Sequence, residues 1–460
     1  MALPQTVKSL RHLNRVCAVG VFLTAGLGFP IGPAQAQSVL LGPAPRLIKS
    51  KPVYDSRLPT GALRAPQYAG EEPGLAHLCS PRRPLCVAWS QADKGAPVLD
   101  ALTKLDAAYD QLVVALGLPE PRRSDAGRAV TWHLTATHNP LTVSLEPNLS
   151  AGFDTASVVC RSGAEPNLTR SAYLCMGEAI AARLDPAETP EVRRAYALYL
   201  WWMLGEFTSE DVNGLSRVQS NPHAAVLTRD KLAQAPATAL LFEYLDRSFG
   251  TESYGALPTG MLALSAARTP ADATRYLNQP DVADVLRATF DDEAPVWAHH
   301  VLDFSIARDL AFEGKNALLP LSVLGDLVRP RIDWTFKVSS LPRRVAPAYP
   351  LEPWGSVYVQ IDIDVPTEKL EIGIKTEWEA PVSMVWKIVK LDEKGEELGR
   401  IDVAFEQRGT EIERRIVTLE NTRRLLIVGT NLGGVDLAHP FDPDHEPFEP
   451  HGCTIYVGRL

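Results

Sequence analysis

LTRSAYLCMGEAIAARLDPAETPEVRRAYALYLWWMLGEF, residues 168–207, is the most apolar long piece of the chain behind its N-terminal segment, and the reading of the fold turns on it. From Thr169 to Leu184 the pattern is that of a helix apolar on most sides. Asp185-Pro186 ends it, because a residue before proline is pushed out of the helical region. A second helix starts with Thr189 as N-cap and Pro190 at the first helical position. Its run AYALYLWWML, 195–204, is apolar all round, which predicts burial between other elements. The run is too short for the ~20 residues that span a bilayer. Glu178 is the exception in the first helix, with Leu174, Cys175, Ala181 and Ala182 one turn away. Buried, ionised and unpaired it would be costly, so it needs a cation such as Arg193 or Arg194, a hydrogen bond or a proton.

Ahead of this stretch, Val98, Leu99, Leu102, Leu105, Leu112, Val113 and Leu116 fall on helical spacing, stopped by Gly117 and Pro119. AVTWHLTAT, 129–137, and the shorter 155–160 read as strands. Behind it, helical patterns recur at 235–249, 261–267, 280–290 and 294–312. Residues 78–327 therefore read as a mostly helical α+β domain. The character then changes. Residues 328–355 carry Pro330, Pro342, Pro347, Pro350 and Pro353 and read as a linker. From 356 to 460 nearly every segment alternates: SVYVQIDIDV, KLEIGIKTEW, SMVWKIVKL, GRIDVAFEQ, EIERRIVTL, RRLLIVGTN and CTIYVGRL. Strands of this length and spacing predict an all-β C-terminal β-sandwich.

The N-terminus has a different job. Lys8, Arg11 and Arg15 precede an apolar run from Val16 to Phe29, and Ala34-Gln35-Ala36 supplies small residues for cleavage. Residues 1–36 read as a signal peptide, which predicts a protein exported to the periplasm or beyond the cell. Residues 37–77, with a proline every few positions, read as a poorly ordered leader. The chain has 46 basic and 55 acidic residues; without Lys8, Arg11 and Arg15 the balance is 43 against 55, or −12. Such acidity disfavours nucleic acid and anionic membranes as partners, and no later stretch is apolar and long enough to be transmembrane. In an oxidising compartment the near pairs Cys79/Cys86 and Cys160/Cys175 are expected to form disulfides, leaving Cys453 unpaired.

No G-x-S-x-G elbow, S-x-x-K pair, P-loop or G-x-G-x-x-G follows a strand of the mature chain, which removes support for serine hydrolases and nucleotide enzymes. The literal approach to H-E-x-x-H, His445 to Glu449, has Pro447 at its centre and cannot be helical. Asp442, Asp444 and Glu446 around it could hold calcium, although solvated loop carboxylates are the commoner identity. His133 and His138 would point to opposite faces of a straight strand, so they do not make a metal pair. His299 and His300 diverge by about 100° on a helix, so at most one could be a ligand.

The order strand, strand, helix with Glu178, second apolar helix, then a helix reading ALLFEYLDRSFG resembles the layout of gluzincin-type secreted bacterial metallopeptidases. It resembles in particular exported proteins of myxobacterial type that read as degenerate relatives of that zincin family. The resemblance spans residues 78–312 and implies a zincin-like domain whose active helix reads H-E-x-x-H. This chain has Gly177-Glu178-Ala179-Ile180-Ala181, so Glu178 alone matches, as a vestigial or candidate general base. The resemblance also implies a glutamate ligand from a later helix, for which Glu206 or Glu243 could be nominated. The favoured reading is a pseudopeptidase: an inactive metallopeptidase-like domain joined to a β-sandwich, binding a protein or surface ligand in the periplasm or at the cell surface. A second reading is an active zinc-dependent peptidase with ligands from His133, His138, His223 or His299 around Glu178. A third is a structural or adhesive surface protein in which the sandwich does the binding.

Overall fold

The computed structural model of the chain describes residues 75–90, 92, 96–121, 130–135, 141–148, 152–163, 167–185, 188–204, 206–227, 232–250, 255–265, 281–290, 296–310, 324, 328–367, 370–402, 410–416, 419–434 and 449–460. The signal segment, the leader up to residue 74, His138 and the loop of Asp442, Asp444 and Glu446 lie outside them. Helices and sheets are both present, so the chain is α+β. It divides into two compact units, Met1–Glu206 with Leu245–Val285, and Phe207–Tyr244 with Leu286–Leu460.

The first unit is built on a five-stranded sheet. Strands β1 (Leu75–Cys79) and β2 (Leu85–Ser90) form an antiparallel hairpin in which Cys79 stands opposite Cys86. Helix α1 (Val98–Tyr109), continued by a wider-turn segment to Ala115, crosses over to β3 (Val130–Thr135), which lies parallel to β2. Strand β4 (Thr142–Asn148) then takes the edge, antiparallel to β5 (Gly152–Gly163), and β5 inserts parallel to β3. The order is β1-β2-β3-β5-β4. Helix α2 (Leu168–Leu184) is capped by Asn167, whose side chain accepts from Arg170 N–H at 2.9 Å. Helix α3 (Pro190–Met203) has Pro190 in its first turn, and Thr189 Oγ1 accepts from Val192 N–H at 3.3 Å. Most residues of both helices are buried, including all of Ser171 to Ala182 and Ala195 to Met203.

The remaining helices are α4 (Ser209–Ser220), α5 (Ala235–Phe249), α6 (Ala256–Ser265), α7 (Val282–Phe290) and α8 (Val296–Leu310). Within the first unit the buried tyrosines of α3 are tied by their hydroxyls. Tyr196 bonds Thr259 at 2.7 Å, and Tyr199 donates to Asp246 at 2.6 Å. The same Asp246 oxygen accepts from Gly255 N–H at 3.0 Å, and Gly255, at φ 83°, holds a conformation that L side chains rarely adopt.

The second unit carries two sheets. Strands β6 (Trp334–Lys337), β7 (Arg343–Val345), β8 (Ser356–Asp362), β9 (Ile372–Trp378), β10 (Val382–Leu391), β11 (Glu397–Asp402), β12 (Glu411–Ile416), β13 (Arg424–Gly434) and β14 (Cys453–Arg459) follow in sequence. They form a five-stranded sheet, β11-β10-β13-β8-β6, and a four-stranded sheet, β12-β9-β14-β7. One apolar core draws Val357, Val359, Trp386, Ile388, Leu425 and Ile427 from the first and Ile372, Ile374, Ile455 and Val457 from the second. On the other face of the five-stranded sheet, α8 packs against β10 and β13. There Ser305, Ser356 and Thr430 form a buried hydroxyl triangle with sides of 2.8–3.1 Å, and Tyr358 donates to Ser305 O at 2.7 Å.

Several expectations change. The strand expected at 155–160 is longer, and β4 between it and β3 was not anticipated. Leu75 to His77, assigned to the leader, pair with Ala88 to Ser90 and so belong to the sheet. Residues 328–355, read as a linker from their prolines, contribute the edge strands β6 and β7, because those prolines fall before, between and after the two strands and leave both free of them. The first strand after the composition change at residue 327 is β6, and the compact unit that holds it also takes in residues 207–244 and 286–327.

Candidate functional site

Helices α2 and α3 are joined by a short turn, so they lie antiparallel and side by side, and this contact decides what Glu178 can do. At their crossing Gly177 faces Ala197, and a Cβ added to Gly177 would stand 2.7 Å from both Cα and Cβ of Ala197. One residue on, Glu178 is 2% exposed. Its Oε1 accepts from Nε of Arg194 on α3, and Arg194 Nη2 donates on to Leu141 O at 2.9 Å, at the start of β4. The carboxylate that the sequence left in search of a partner has found one of the two arginines named for it.

The turn between the helices adds a second buried polar group. Glu188 accepts from Thr189 N–H at 2.7 Å through Oε1 and from Val282 N–H at 3.2 Å through Oε2, tying the turn to the start of α7. Burial, reinforced by the charge of Asp185, pushes its carboxyl up to about 8 despite those two donors and the opposing charge of Arg193. Arg193 is buried among Glu178, Glu188 and Asp185; burial pulls it down from the usual arginine range, and its Nε has no hydrogen-bond partner. The group is an internal cluster in which Arg193 stands against Glu178, Asp185 and, once it ionises above about pH 8, Glu188.

The metallopeptidase resemblance implies zinc here, and the residues do not fit it. A histidine at position 177 has no room beside Ala197, Ala181 is fully buried and carries only a methyl, and Glu178 is held by Arg194. Among the described residues no group of three or more His, Cys, Asp or Glu side chains is placed to hold a metal ion. His133 lies half-buried on β3, with Ala88 and Arg161 as its strand neighbours. Glu206 is exposed beyond α3, where its charge adds to the burial that raises Tyr173 to about 12. His223, Glu243, His299 and His300 belong to the second unit. His299 and His300 lie half-buried on α8. Burial lowers His300 to about 4, with His299 and Lys387 adding to the effect and Asp303 opposing it.

Cys79–Cys86 and Cys160–Cys175 are disulfides, the pairs expected from their spacing. Cys453 is a free buried thiol on β14 that burial pushes up to about 12. A surface of the second unit was missed altogether. Tyr349 packs there with His223 and Arg331, Trp334 is tied to Ala346 three residues away, and Arg331, Trp334 and Tyr349 lie in the stretch read as a linker. The signal available there was the clustering of arginine and aromatic residues among the prolines.

No family model and no curated protein matches the chain. Among solved structures, the enzymatically active domain of tailspike protein 4 from bacteriophage CBA120 matches at 8% identity and a TM-score of 0.17. The match covers 26% of this chain and 18% of that one, and at such a score it carries no argument.

Proposed function

We propose that the chain is an exported, non-catalytic binding protein. In this reading a zincin-like unit has lost its metal chemistry and a β-sandwich shares the chain with it. The observation that carries the proposal is the α2–α3 contact, where the position of the first expected ligand is the glycine that lets the helices approach and the expected base is ion-paired. The zincin-like layout is supported by the sequence of a mixed sheet, the helix bearing Glu178 and a second apolar helix. The sandwich is supported by two sheets drawing on one core. Export is supported by the two disulfides and by the finding that, among the described residues, no helix is long and apolar enough to cross a membrane.

The test uses the wild-type chain purified without chelator or added metal. We expect sub-stoichiometric zinc and no cleavage of casein or of a mixed peptide library. Stoichiometric zinc together with cleavage that a chelator removes would establish the peptidase reading instead.

A further inference from the structure

We propose that the surface carrying Trp334 and Tyr349 is a binding site for an acidic polysaccharide. This deepens the binding reading above and rests on it for the protein's export, not for its lack of catalysis.

Among the described residues, Trp334 and Tyr349 are the aromatic members of the exposed large apolar set, at 47% and 52% exposure. Both are held in place. The indole N–H of Trp334 donates to Ala346 O at 2.7 Å. The Tyr349 ring stacks on His223 with centroids 4.7 Å apart and planes 19° apart, and the Arg331 guanidinium lies 5.2 Å from the same ring. Arg331 Nη2 also comes within 3.4 Å of His223 Nδ1, which it could not do from the far side of the phenol ring. His223 and Arg331 therefore back one face of Tyr349, and its exposure belongs to the other. Asp333 fixes Arg331 at 3.1 Å, so the support is itself supported.

The Trp334 tether sets its indole N–H against Ala346, three residues and at most about 11 Å of backbone from Tyr349, so both rings are anchored on one short stretch of chain. Flat aromatic faces that are already ordered suit a ligand with flat apolar faces and a polar rim, because little ordering remains to be done on binding. A sugar ring has that form, and two separate aromatic faces call for an oligomer. A protein partner would instead use such rings as anchors seated in its own pockets.

Charge selects the kind of sugar. Residues 328–350 contain Arg329, Arg331, Lys337, Arg343 and Arg344 against Asp333 alone, a local balance of +4 in a chain of net charge −9. The Asp333 side chain is buried on Arg331, while Lys337 and Arg343 are exposed. The nearby acids have partners of their own: Glu377 holds Lys375 and Tyr456, and Asp364 accepts from Ser339. Guanidinium forks match carboxylates in two parallel bonds, which favours a uronate-type polymer over a neutral one.

The test is migration of the full mature chain in native gels containing polygalacturonate, alginate or hyaluronate, with dextran as the neutral control. At least one acidic polymer is expected to retard the wild type, dextran is not, and added salt is expected to weaken the effect. Replacing both rings, Trp334→Ala with Tyr349→Ala, is expected to weaken retardation at least tenfold, while Tyr349→Phe, which keeps the ring, leaves it unchanged. Circular-dichroism melting checks that the double variant folds; if it does not, Arg343→Gln, exposed on an edge strand, is expected to weaken retardation severalfold. The proposal is overturned if none of the three polymers retards the protein, if dextran does so equally, if the ring or Arg343 variants migrate like wild type, or if polyglutamate binds as well through the same side chains. Peptide cleavage by the same preparation would sink the non-catalytic reading and leave this one standing.

Discussion

At Glu188 three influences compete, and their order makes a prediction. Two backbone N–H donors and the charge of Arg193 favour the ionised carboxylate, but burial and the charge of Asp185 outweigh them and raise the group from 4.5 to about 8. The unfolded chain therefore loses this proton first as pH rises. Between about 4.5 and 8 the folded state holds one proton more than the unfolded state, so stability falls with rising pH by up to about 1.4 kcal/mol per unit, and levels off above that window. Glu188→Gln cannot titrate. It also loses the acceptor that meets Val282 N–H, so it is expected to be less stable than wild type near pH 5, where the native carboxyl is still protonated. The readout is the slope: chemical denaturation from pH 5 to 8 should show a decline in wild type that the variant lacks, and parallel curves would refute the assignment. Glu178 illustrates how far single residues could be read. Its need for a cation followed from its apolar neighbours, and Arg194 was one of the two arginines at hand. The role of Gly177 was not legible, because it depends on which residue of the next helix stands opposite.

Caps and periodicity made some elements readable and the partners of an element made others misleading. Thr189-Pro190 announced α3 to the residue, whereas α4 was missed although Thr208 and Asp211 form a full capping box at its start. Each of the seven segments beyond residue 355 holds a strand in its described residues, but they do not all alternate. Strand β9 buries every second residue, as expected of a sheet with one wet face, while β13 is buried along nearly its whole length. The cause is α8, which covers the face of β13 that the shared core leaves over. A strand's pattern thus reports how many of its faces are covered, and the covering helix lies more than a hundred residues upstream. The Gly177–Ala197 contact leaves no room for a larger side chain, so a change should be felt there. Gly177→Ala gains roughly 1 kcal/mol of intrinsic helix propensity, but the new methyl meets the backbone of α3 at 2.7 Å, and backbone cannot rotate aside. Overpacking of this kind costs about 1–3 kcal/mol. A net loss in the urea midpoint is expected, followed through the near-ultraviolet signal of the tryptophans; a gain would mean that the helices can separate freely, and with it the argument against a ligand at position 177 would fail.

On the scale of the whole chain, the covalent cross-links are unevenly distributed. Both disulfides lie in the first unit, one across the β1–β2 hairpin and one fastening β5 to α2, and the second unit's Cys453 is a buried thiol. Loop closure across separations of 7 and 15 residues stabilises by about 2 and about 3 kcal/mol on a chain-entropy estimate. Burial raises Cys453 to about 12, so almost none of it is thiolate near neutral pH and it is a poor partner for exchange with either bridge. Reductant should then act on one unit. Hydrogen exchange followed segment by segment in dithiothreitol is expected to speed up in β1 to β5 and α2, while β8, β10 and β13 keep their protection. Equal loss of protection in both units would mean that the chain unfolds as one cooperative body. Protection that survives in β8, β10 and β13 after the first unit has opened would leave the sheets, with Trp334 and Tyr349 at their edge, able to hold a ligand by themselves, so polysaccharide retardation should persist in reductant.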